Sequence, residues 1–321
     1  HVLSVEAVLP NGKVVQIDGP ALDAPGLDLL GVLIGSEGTL AIVTKATLRL
    51  LRIPEATQTV LAAFNSIDAA AEVVSGIIRE GIIPAAVEMM DRLTIEAAEA
   101  AVHPGFPNAE AILIVELDGS LVEVEALMQR VEQICYQNNV QSLQRAQDET
   151  ERARFWKGRK AAFAAMGRVA PNYYVQDGVV PRTRLPEVLG KIRRLEADSG
   201  LRIGNVFHAG DGNLHPLICY DSNIEGQAAL AERVATEILT YCIEAGGSIT
   251  GEHGVGIDKA KHLPKMFNDD DLDSMQRVRC AFDPKGLCNP GKIFPTPRLC
   301  GEIPGPYREH PAERTGQAER F

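Results

Sequence analysis

Hydrophobic and polar residues alternate along the first fifty positions in the manner of β-strands. Residues 3–9 and 13–17 alternate on either side of the turn signal Pro-Asn-Gly at 10–12, a combination that predicts a hairpin. Residues 31–50 contain a glycine-rich turn followed by a second alternating stretch. Pro54 then interrupts the pattern, and we place a domain boundary next to it.

Beyond Pro54 the hydrophobic period changes repeatedly between two and 3.6, which predicts strands and amphipathic helices mixed along the chain. The predicted strands cover residues 58–64, 86–90, 111–117, 141–146, 172–180, 202–207 and 214–219. The predicted helices cover residues 67–80, 92–102, 120–138, 148–166, 184–198, 225–245 and 270–281. Hairpins among these strands favour an α+β fold over a doubly wound parallel sheet.

Composition narrows the function classes. A chain of 321 residues, 45% hydrophobic, predicts two domains or one large one. The net charge of -11 disfavours a nucleic-acid binder, and an anionic substrate would need local positive charge or a metal. No apolar stretch is long enough to span a membrane, and the six cysteines form no C-x-x-C pair, so we expect a cytoplasmic protein.

The strongest candidate for chemistry is the segment HAGDGNLH at 208–215. If Asp211-Gly212 forms a two-residue hairpin turn, His208 and His215 stand directly opposite each other, with Cβ atoms about 5 Å apart. Two imidazoles so placed suit one divalent metal. The alternative is a hairpin that carries two unrelated polar residues.

The segment GEHGVG at 251–256 offers a third ligand. Glu252 and His253 are adjacent, so in an extended chain one can bind metal while the other faces substrate. Two histidines and a carboxylate leave open positions for substrate oxygens and fit zinc, iron or manganese. The alternative is a surface Glu-His pair in a flexible loop. The segment GSEGTLAIVT at 35–44 could cradle phosphate, or it could be a tight turn into a strand.

Four segments together carry a family resemblance: GSEGTLAIVTKATLRL (35–50), HAGDGNLHP (208–216), GEHGVG (251–256) and NPGKIFP (289–295). In this order and spacing they resemble the FAD-linked oxidase C-terminal family of vanillyl-alcohol-oxidase-type flavoproteins. The resemblance implies FAD-dependent oxidation of a small 2-hydroxy acid, glycolate or D-lactate, to the 2-oxo acid. Hydride would pass to the flavin, and a divalent metal would assist substrate binding.

The resemblance also implies roles for individual residues. Metal ligands would be His208, His215 and Glu252, with His253 as the base. Arg159 would bind the substrate carboxylate, although it could equally be an arginine on a helix surface; Tyr174 and Asn213 would be further substrate contacts. The FAD contacts would be Gly35, Ser36, Glu37, Gly38, Thr39, Ile42 and Asn289.

The same resemblance implies a domain plan. Residues 1–53 would be the C-terminal portion of a two-lobed FAD-binding domain. Residues 54–250 would form a ferredoxin-like cap domain for substrate and metal, an antiparallel sheet with helices on one face. Residues 251–295 would be an active-site loop and a helix returning to the FAD domain, and 296–321 a flexible tail. Because the chain opens at His1 inside a hairpin strand, we interpret it as N-terminally truncated.

Other functions remain open at this point. A D-2-hydroxyglutarate-type dehydrogenase is disfavoured because residues 172–180 contain no lysine, which relatives acting on dicarboxylates carry there. A metal-dependent hydrolase would leave GSEGTL and NPGKIFP without a role, and a non-catalytic subunit predicts no bound metal. The expected partners are the 2-hydroxy acid and an electron acceptor, with an iron–sulfur or flavoprotein subunit as one form of it. Such a partner could hold the protein peripherally at a membrane.

Overall fold

A computed structural model describes residues 1–19 and 26–295 of the chain. The described residues divide into two compact units: those of His1–Leu51 together with residues 254–295, and Arg52–His253. The prediction had divided the chain at 53/54 and 250/251. The tail predicted at 296–321 lies outside the described residues.

Strands and helices are numbered in chain order. The strands are β1 (Val2–Val8), β2 (Val14–Asp18), β3 (Ile42–Leu48), β4 (Ala56–Phe64), β5 (Ala86–Asp91), β6 (Ala111–Gly119), β7 (Ser142–Arg145), β8 (Asn172–Val175), β9 (Gly178–Val179), β10 (Ile203–His208), β11 (Asn213–Leu214) and β12 (Pro216–Tyr220). The α-helices are α1 (Leu29–Leu33), α2 (Ile67–Arg79), α3 (Arg92–Val102), α4 (Leu121–Gln137), α5 (Glu149–Ala165), α6 (Leu185–Ser199), α7 (Gln227–Glu244), α8 (Leu263–Met266) and α9 (Asp269–Phe282). No helix in the described ranges is both long enough and apolar enough to cross a membrane.

The first unit contains a three-stranded antiparallel sheet in the order β2-β1-β3. The predicted hairpin is confirmed: Val8 pairs with Val14, and the Gly12 N–H donates to Leu9 O at 2.8 Å. Val5, Ala7 and Ile17 lie in its small core together with Leu30 and Leu33 of α1. Every residue of β3 is exposed, so this edge strand contributes pairing but little buried surface.

The second unit is built on a larger antiparallel sheet with the path β7-β4-β6-β5-β10-β11-β9, and β12 pairs with β10 and with β8. Its centre is the nine-residue ladder of β4 and β6, in which Val60 lies opposite Val115. Both faces of this ladder are buried. Along β6, Leu113 and Val115 belong to one apolar cluster and Ile112 and Ile114 to another.

The predicted α+β class with an antiparallel sheet is confirmed. The structure differs from the prediction in one detail, because helices lie against both faces of the sheet rather than one. Residues of α2, α4, α6 and α7 pack in the first cluster, and residues of α3 and α5 in the second. The first five residues of β6, AILIV, are all apolar and point alternately to the two faces of the sheet, so burying both faces stabilises the strand.

Side-chain caps fix where several helices begin. Ser66, Asp91, Ser120 and Asp148 each accept a hydrogen bond from the backbone N–H three residues on. Such caps satisfy N–H groups that the first helical turn leaves free and are each worth about 1 kcal/mol. The cap at Asp91 also ends β5, so the strand passes directly into α3.

Candidate active site

The histidine segment forms a turn in the second unit, but not the one predicted. His208, the last residue of β10, pairs with Asn213 rather than with His215, so the two-residue hairpin was wrong. Residues 209–212 form the turn, with the Asp211 N–H donating to His208 O at 3.2 Å and the Gly212 N–H to Ala209 O at 3.3 Å.

His215 occupies the junction between β11 and β12. The pairing changes there: Leu214 lies opposite Gly178 of β9, whereas Pro216 lies opposite Asn205 of β10. The bend brings the His215 ring to a centroid distance of 5.3 Å from the His208 ring, at an angle of 84°. The two imidazoles therefore meet as predicted, although by a different strand register.

Three imidazoles converge on one carboxylate oxygen, and we call His208, His215, Glu252 and His253 the histidine site. The Nε2 atoms of His215, His208 and His253 lie 3.1, 3.5 and 3.9 Å from Glu252 Oε1. In a tetrahedral metal site with ligand distances near 2.1 Å, neighbouring ligand atoms are about 3.4 Å apart. The distances of His208 and His215 from Glu252 Oε1 are thus compatible with ligands of one divalent cation.

The loop that carries Glu252 and His253 is held by a residue that the motifs did not indicate. The fully buried Asp177 carboxylate accepts hydrogen bonds from Thr250 Oγ1 (2.6 Å) and from the N–H groups of Gly251 (2.9 Å) and His253 (2.9 Å). The Glu252 N–H adds a fourth, 3.2 Å from Asp177 Oδ1. Successive backbone N–H groups gathered on one anion fix the course of the loop.

Asp177 also lies close to the ligands themselves. Its Oδ1 is 3.9 Å from His215 Nδ1, and ligand atoms of Asp177, His215, Glu252 and His253 fit within 4.8 Å of one another. A metal bound to Asp177 would use Nδ1 of His215, which already faces the Gln176 carbonyl at 3.3 Å. The Asp177 oxygens already accept the donors of the loop, so in this structure Asp177 supports the loop.

Arg159 lies in the interior of the unit, so its interpretation as a helix-surface arginine was wrong. Its side chain on α5 is only 7% exposed, and Nε donates to Glu88 Oε2 at 2.7 Å. The other Glu88 oxygen, Oε1, lies 2.7 Å from Nδ1 of His208. The Phe163 ring lies 5.8 Å from the Arg159 guanidinium and 5.9 Å from the ring of His215. The structure thus brings Arg159 to the histidine site.

Glu88 was missed by sequence reasoning. Its only signal is an acidic residue flanked by apolar residues inside β5 (AVEMMD), where a buried carboxylate needs a partner. The partners are 71 and 120 positions away along the chain, so no local motif reveals them.

The pKa values of His208 and His215 are shifted in opposite directions. The hydrogen bond with Glu88 raises the pKa of His208 above its usual value, against the opposing effect of burial. Burial lowers the pKa of His215, and positive charge on His208 or His253 would lower it further. At neutral pH His215 is therefore an uncharged imidazole, the form that binds metal.

The remaining predicted substrate contacts lie in neighbouring strands. Asn213 is buried, and its Oδ1 has no hydrogen-bond partner among the described residues. A Cβ atom on Gly251 would come within 2.6 Å of the Asn213 amide, so only glycine fits there. Tyr174 is half-buried on β8 opposite Ile218, two residues before Gln176, whose carbonyl faces His215.

The predicted cofactor contacts lie in the first unit, around what we call the GSEG loop (residues 35–38). A cavity of about 520 Å³ is lined by Gly35, Ser36, Glu37, Gly38, Ile42 and Asn289, among others. Gly38 has φ +69°, and a Cβ atom there would lie 2.9 Å from Asn289 Nδ2. Small residues at left-handed positions leave the backbone open to close approach by a ligand.

Two of these residues hold the loop rather than present a free side chain. The Glu37 carboxylate accepts from the N–H groups of Val255 (2.7 Å) and Gly256 (2.9 Å), and the Glu37 carbonyl accepts from Asn289 Nδ2. Thr39 is buried and donates its hydroxyl to Ser36 O at 2.7 Å. Glu37 therefore acts through loop geometry, a role that the motif alone did not indicate.

The sequence matches a known protein family and is similar to several known proteins. Residues 53–293 match the family described as FAD linked oxidases, C-terminal domain. The glycolate oxidase subunit GlcD of Escherichia coli (strain K12) is 45% identical over 322 residues, which cover 100% of this chain and 64% of that protein. The mitochondrial D-lactate dehydrogenase [cytochrome] of Arabidopsis thaliana is 34% identical over 94% of this chain and 53% of that protein. The chain thus spans less than two thirds of the length of these relatives.

Solved structures with the same fold are more distant in sequence. A 4-ethylphenol oxidase from Gulosibacter chungangensis aligns over 91% of this chain and 65% of its own, with a TM-score of 0.69 and 17% identity. A p-cresol methylhydroxylase aligns over 91% of this chain and 64% of its own, with a TM-score of 0.71 and 12% identity. At these identities the likeness concerns the fold.

Proposed function

The chain belongs to the FAD-linked oxidase C-terminal family, and from that premise we propose that the protein oxidises a small 2-hydroxy acid, glycolate or D-lactate, to the 2-oxo acid. The observation that carries the proposal is the convergence of three imidazole Nε2 atoms on Glu252 Oε1, beside a buried arginine. The names of the relatives, a glycolate oxidase subunit and a D-lactate dehydrogenase, agree with this substrate class.

Binding of an anionic substrate needs positive charge in a chain of net charge -11. Arg159 provides it: Nε is held by Glu88, while the two terminal nitrogens make no hydrogen bond to any described residue in the structure. They can form the paired hydrogen bonds that a carboxylate accepts from a guanidinium. The unsatisfied Oδ1 of Asn213 offers an acceptor for the substrate hydroxyl.

His208, His215 and Glu252 would hold a divalent metal, which when bound supplies a Lewis acid that lowers the pKa of the substrate hydroxyl. His253 stacks on His215 at a centroid distance of 5.0 Å and stays partly exposed. Its Nε2 can take the hydroxyl proton as general base. In this proposal His253 is the base, whereas His208 and His215 would be the metal ligands.

Bound FAD would supply the two-electron oxidant for the Cα–H bond of the substrate. In this chain Gly35, Ser36, Gly38 and Asn289 would contact it, since they line the cavity at the GSEG loop. We extend the proposal to a partner that receives the electrons, because the relative from Escherichia coli is named as a subunit.

The test is anaerobic mixing of the full-length holoenzyme with glycolate, D-lactate and D-2-hydroxyglutarate, followed by the absorbance of oxidised flavin. We expect glycolate or D-lactate to bleach the flavin and D-2-hydroxyglutarate to act more slowly. Absence of bleaching with all three acids would contradict the proposal. Faster bleaching with D-2-hydroxyglutarate would instead support a dicarboxylate dehydrogenase.

A further inference from the structure

Glu88 joins two groups that the proposed function uses separately. We propose that Glu88 is a positioning residue that orients His208 for metal and Arg159 for the substrate carboxylate; this inference rests on the proposed function. Its two carboxylate oxygens are divided between the partners: Oε2 accepts from Arg159 Nε and Oε1 faces His208 Nδ1, both at 2.7 Å.

The contact of Glu88 Oε1 with His208 determines which ring nitrogen of His208 carries the proton. Glu88 accepts from the Arg159 guanidinium through Oε2, and its Oε1 is the acceptor that faces His208. The facing Nδ1 of His208 must then be the donor, so when the ring gives up its other proton to bind metal, the lone pair lies on Nε2. That lone pair points to the Glu252 oxygen at 3.5 Å, on the side where the ligand atoms converge. Glu88 thus selects the tautomer that can bind metal through Nε2.

The position of Glu88 supports a purpose beyond neutralising Arg159. Its side chain is 6% exposed on β5, and His208 lies directly opposite it in the register with β10. A carboxylate needed only as a counter-ion could use both oxygens on the guanidinium. Glu88 instead uses a single oxygen for it and keeps the other for the imidazole.

The same sheet offers a matched control. Glu116 on β6 is also largely buried and accepts from both Nε and Nη2 of Arg152 at 2.8 and 2.9 Å. Its further partners are Thr59 and Trp156, and no histidine within residues 1–19 and 26–295 hydrogen-bonds to it. Replacing either glutamate with glutamine disturbs an ion pair in the sheet, but only Glu88 is expected to affect metal.

The experiment uses the full-length protein stripped of metal, titrated with Zn²⁺ in competition with a chelator. We expect Glu88→Gln to weaken Zn²⁺ binding by about 10- to 100-fold, the usual effect of losing a carboxylate behind a metal-binding histidine. We expect Glu116→Gln to leave the affinity within about threefold of the original. The visible spectrum of bound Co²⁺ should change with Glu88→Gln and not with Glu116→Gln, because it reports ligand geometry.

A double variant distinguishes the positioning of His208 by Glu88 from the neutralisation of the Arg159 charge. It also avoids leaving a buried charge unpaired, which could unfold the single variant. Glu88→Gln combined with Arg159→Met removes the uncompensated charge, and we expect it to retain the weakened Zn²⁺ affinity. Recovery of the original affinity in the double variant, or unchanged affinity in Glu88→Gln, would overturn the role of Glu88. If the unsubstituted protein binds no Zn²⁺ or Co²⁺, the metal site and this inference both fall, whereas flavin bleaching tests the oxidation independently.

Discussion

The histidine site and the GSEG loop are built in opposite ways. The histidine site gathers ionisable side chains, with Glu88 and Asp177 each buried behind a member of the site. The GSEG loop is shaped by backbone, glycines at positive φ and one carboxylate that accepts backbone N–H groups. The first can therefore be probed by changes of charge, whereas the second responds chiefly to changes of backbone freedom.

The largest effect should come from His253, the member of the histidine site assigned to chemistry rather than metal binding. His253→Ala should slow flavin reduction by about 10²- to 10⁴-fold, because general-base catalysis is lost. Rapid mixing with the 2-hydroxy acid measures this rate. Metal content should stay stoichiometric; its loss would show that His253 is a ligand, and unchanged reduction would exclude it as the base.

Asp177 tests whether the site depends on its supporting carboxylate. Asp177→Asn replaces one acceptor oxygen with an N–H₂ group facing backbone donors, so the loop with Glu252 should shift. We expect Zn²⁺ affinity to fall by about 10- to 100-fold. The titration used for Glu88 measures it. Unchanged affinity would mean that the metal itself shapes the loop.

Asp91 is a buried carboxylate of the second unit that lies outside the histidine site, and it should make the stability of the protein depend on pH. Its carboxylate accepts from Thr94 and Asn205, yet burial raises its pKa from 3.8 to about 6. A folded-state pKa above the unfolded value gives stability that is present below pH 3.8 and lost as pH rises through about 6. The difference is about 3 kcal/mol at full ionisation.

Denaturant unfolding of the chain at pH 4, 5, 6 and 7 measures this contribution, with Asp91→Asn as the reference. The amide cannot ionise and remains a competent N-cap. We expect the variant to gain stability relative to the original protein as pH rises. Parallel pH profiles for the two proteins would show that Asp91 keeps an ordinary pKa.

The GSEG loop should give the smallest effect. Gly38→Ala meets both a positive φ and the Asn289 amide at 2.9 Å, whereas Gly35→Ala meets a positive φ of +79° in open space. Backbone strain of about 1 kcal/mol is common to both, so FAD affinity should fall several-fold in each and further in Gly38→Ala. Fluorescence titration of the full-length apoprotein with FAD measures the affinities. Equal affinities would show that the Asn289 contact yields without cost.

Local patterns predicted the elements well and the long-range pairs poorly. The helices expected at 67–80 and 270–281 are Ile67–Arg79 and Asp269–Phe282. The hairpin register at His208 was wrong because the preference of Asp-Gly for a two-residue turn yielded to pairing of β11 with β9 and of β12 with β10. The sheet decided that register, and no local pattern encodes it.

In the candidate site, too, local groups of residues were predicted and long-range partners were missed. The two motifs predicted that His208, His215, Glu252 and His253 lie together, and the three imidazoles do lie near the Glu252 carboxylate. Within each motif these residues are near neighbours along the chain. Glu88 and Asp177 were missed because their partners lie 71 or more positions away along the chain. For Glu88, an ionisable residue between apolar residues of a strand is the signal that could have found it.

The hydrogen bonds of Asp177 imply that the apoprotein is preorganised. The loop that carries Glu252 is tied down by four protein donors on one buried carboxylate, and none of these bonds requires an ion. In small zinc domains the metal supplies the folding free energy, and chelation unfolds them. If the site binds metal as proposed, chelation should remove the metal and leave the fold intact, so that metal can be lost and bound again without refolding.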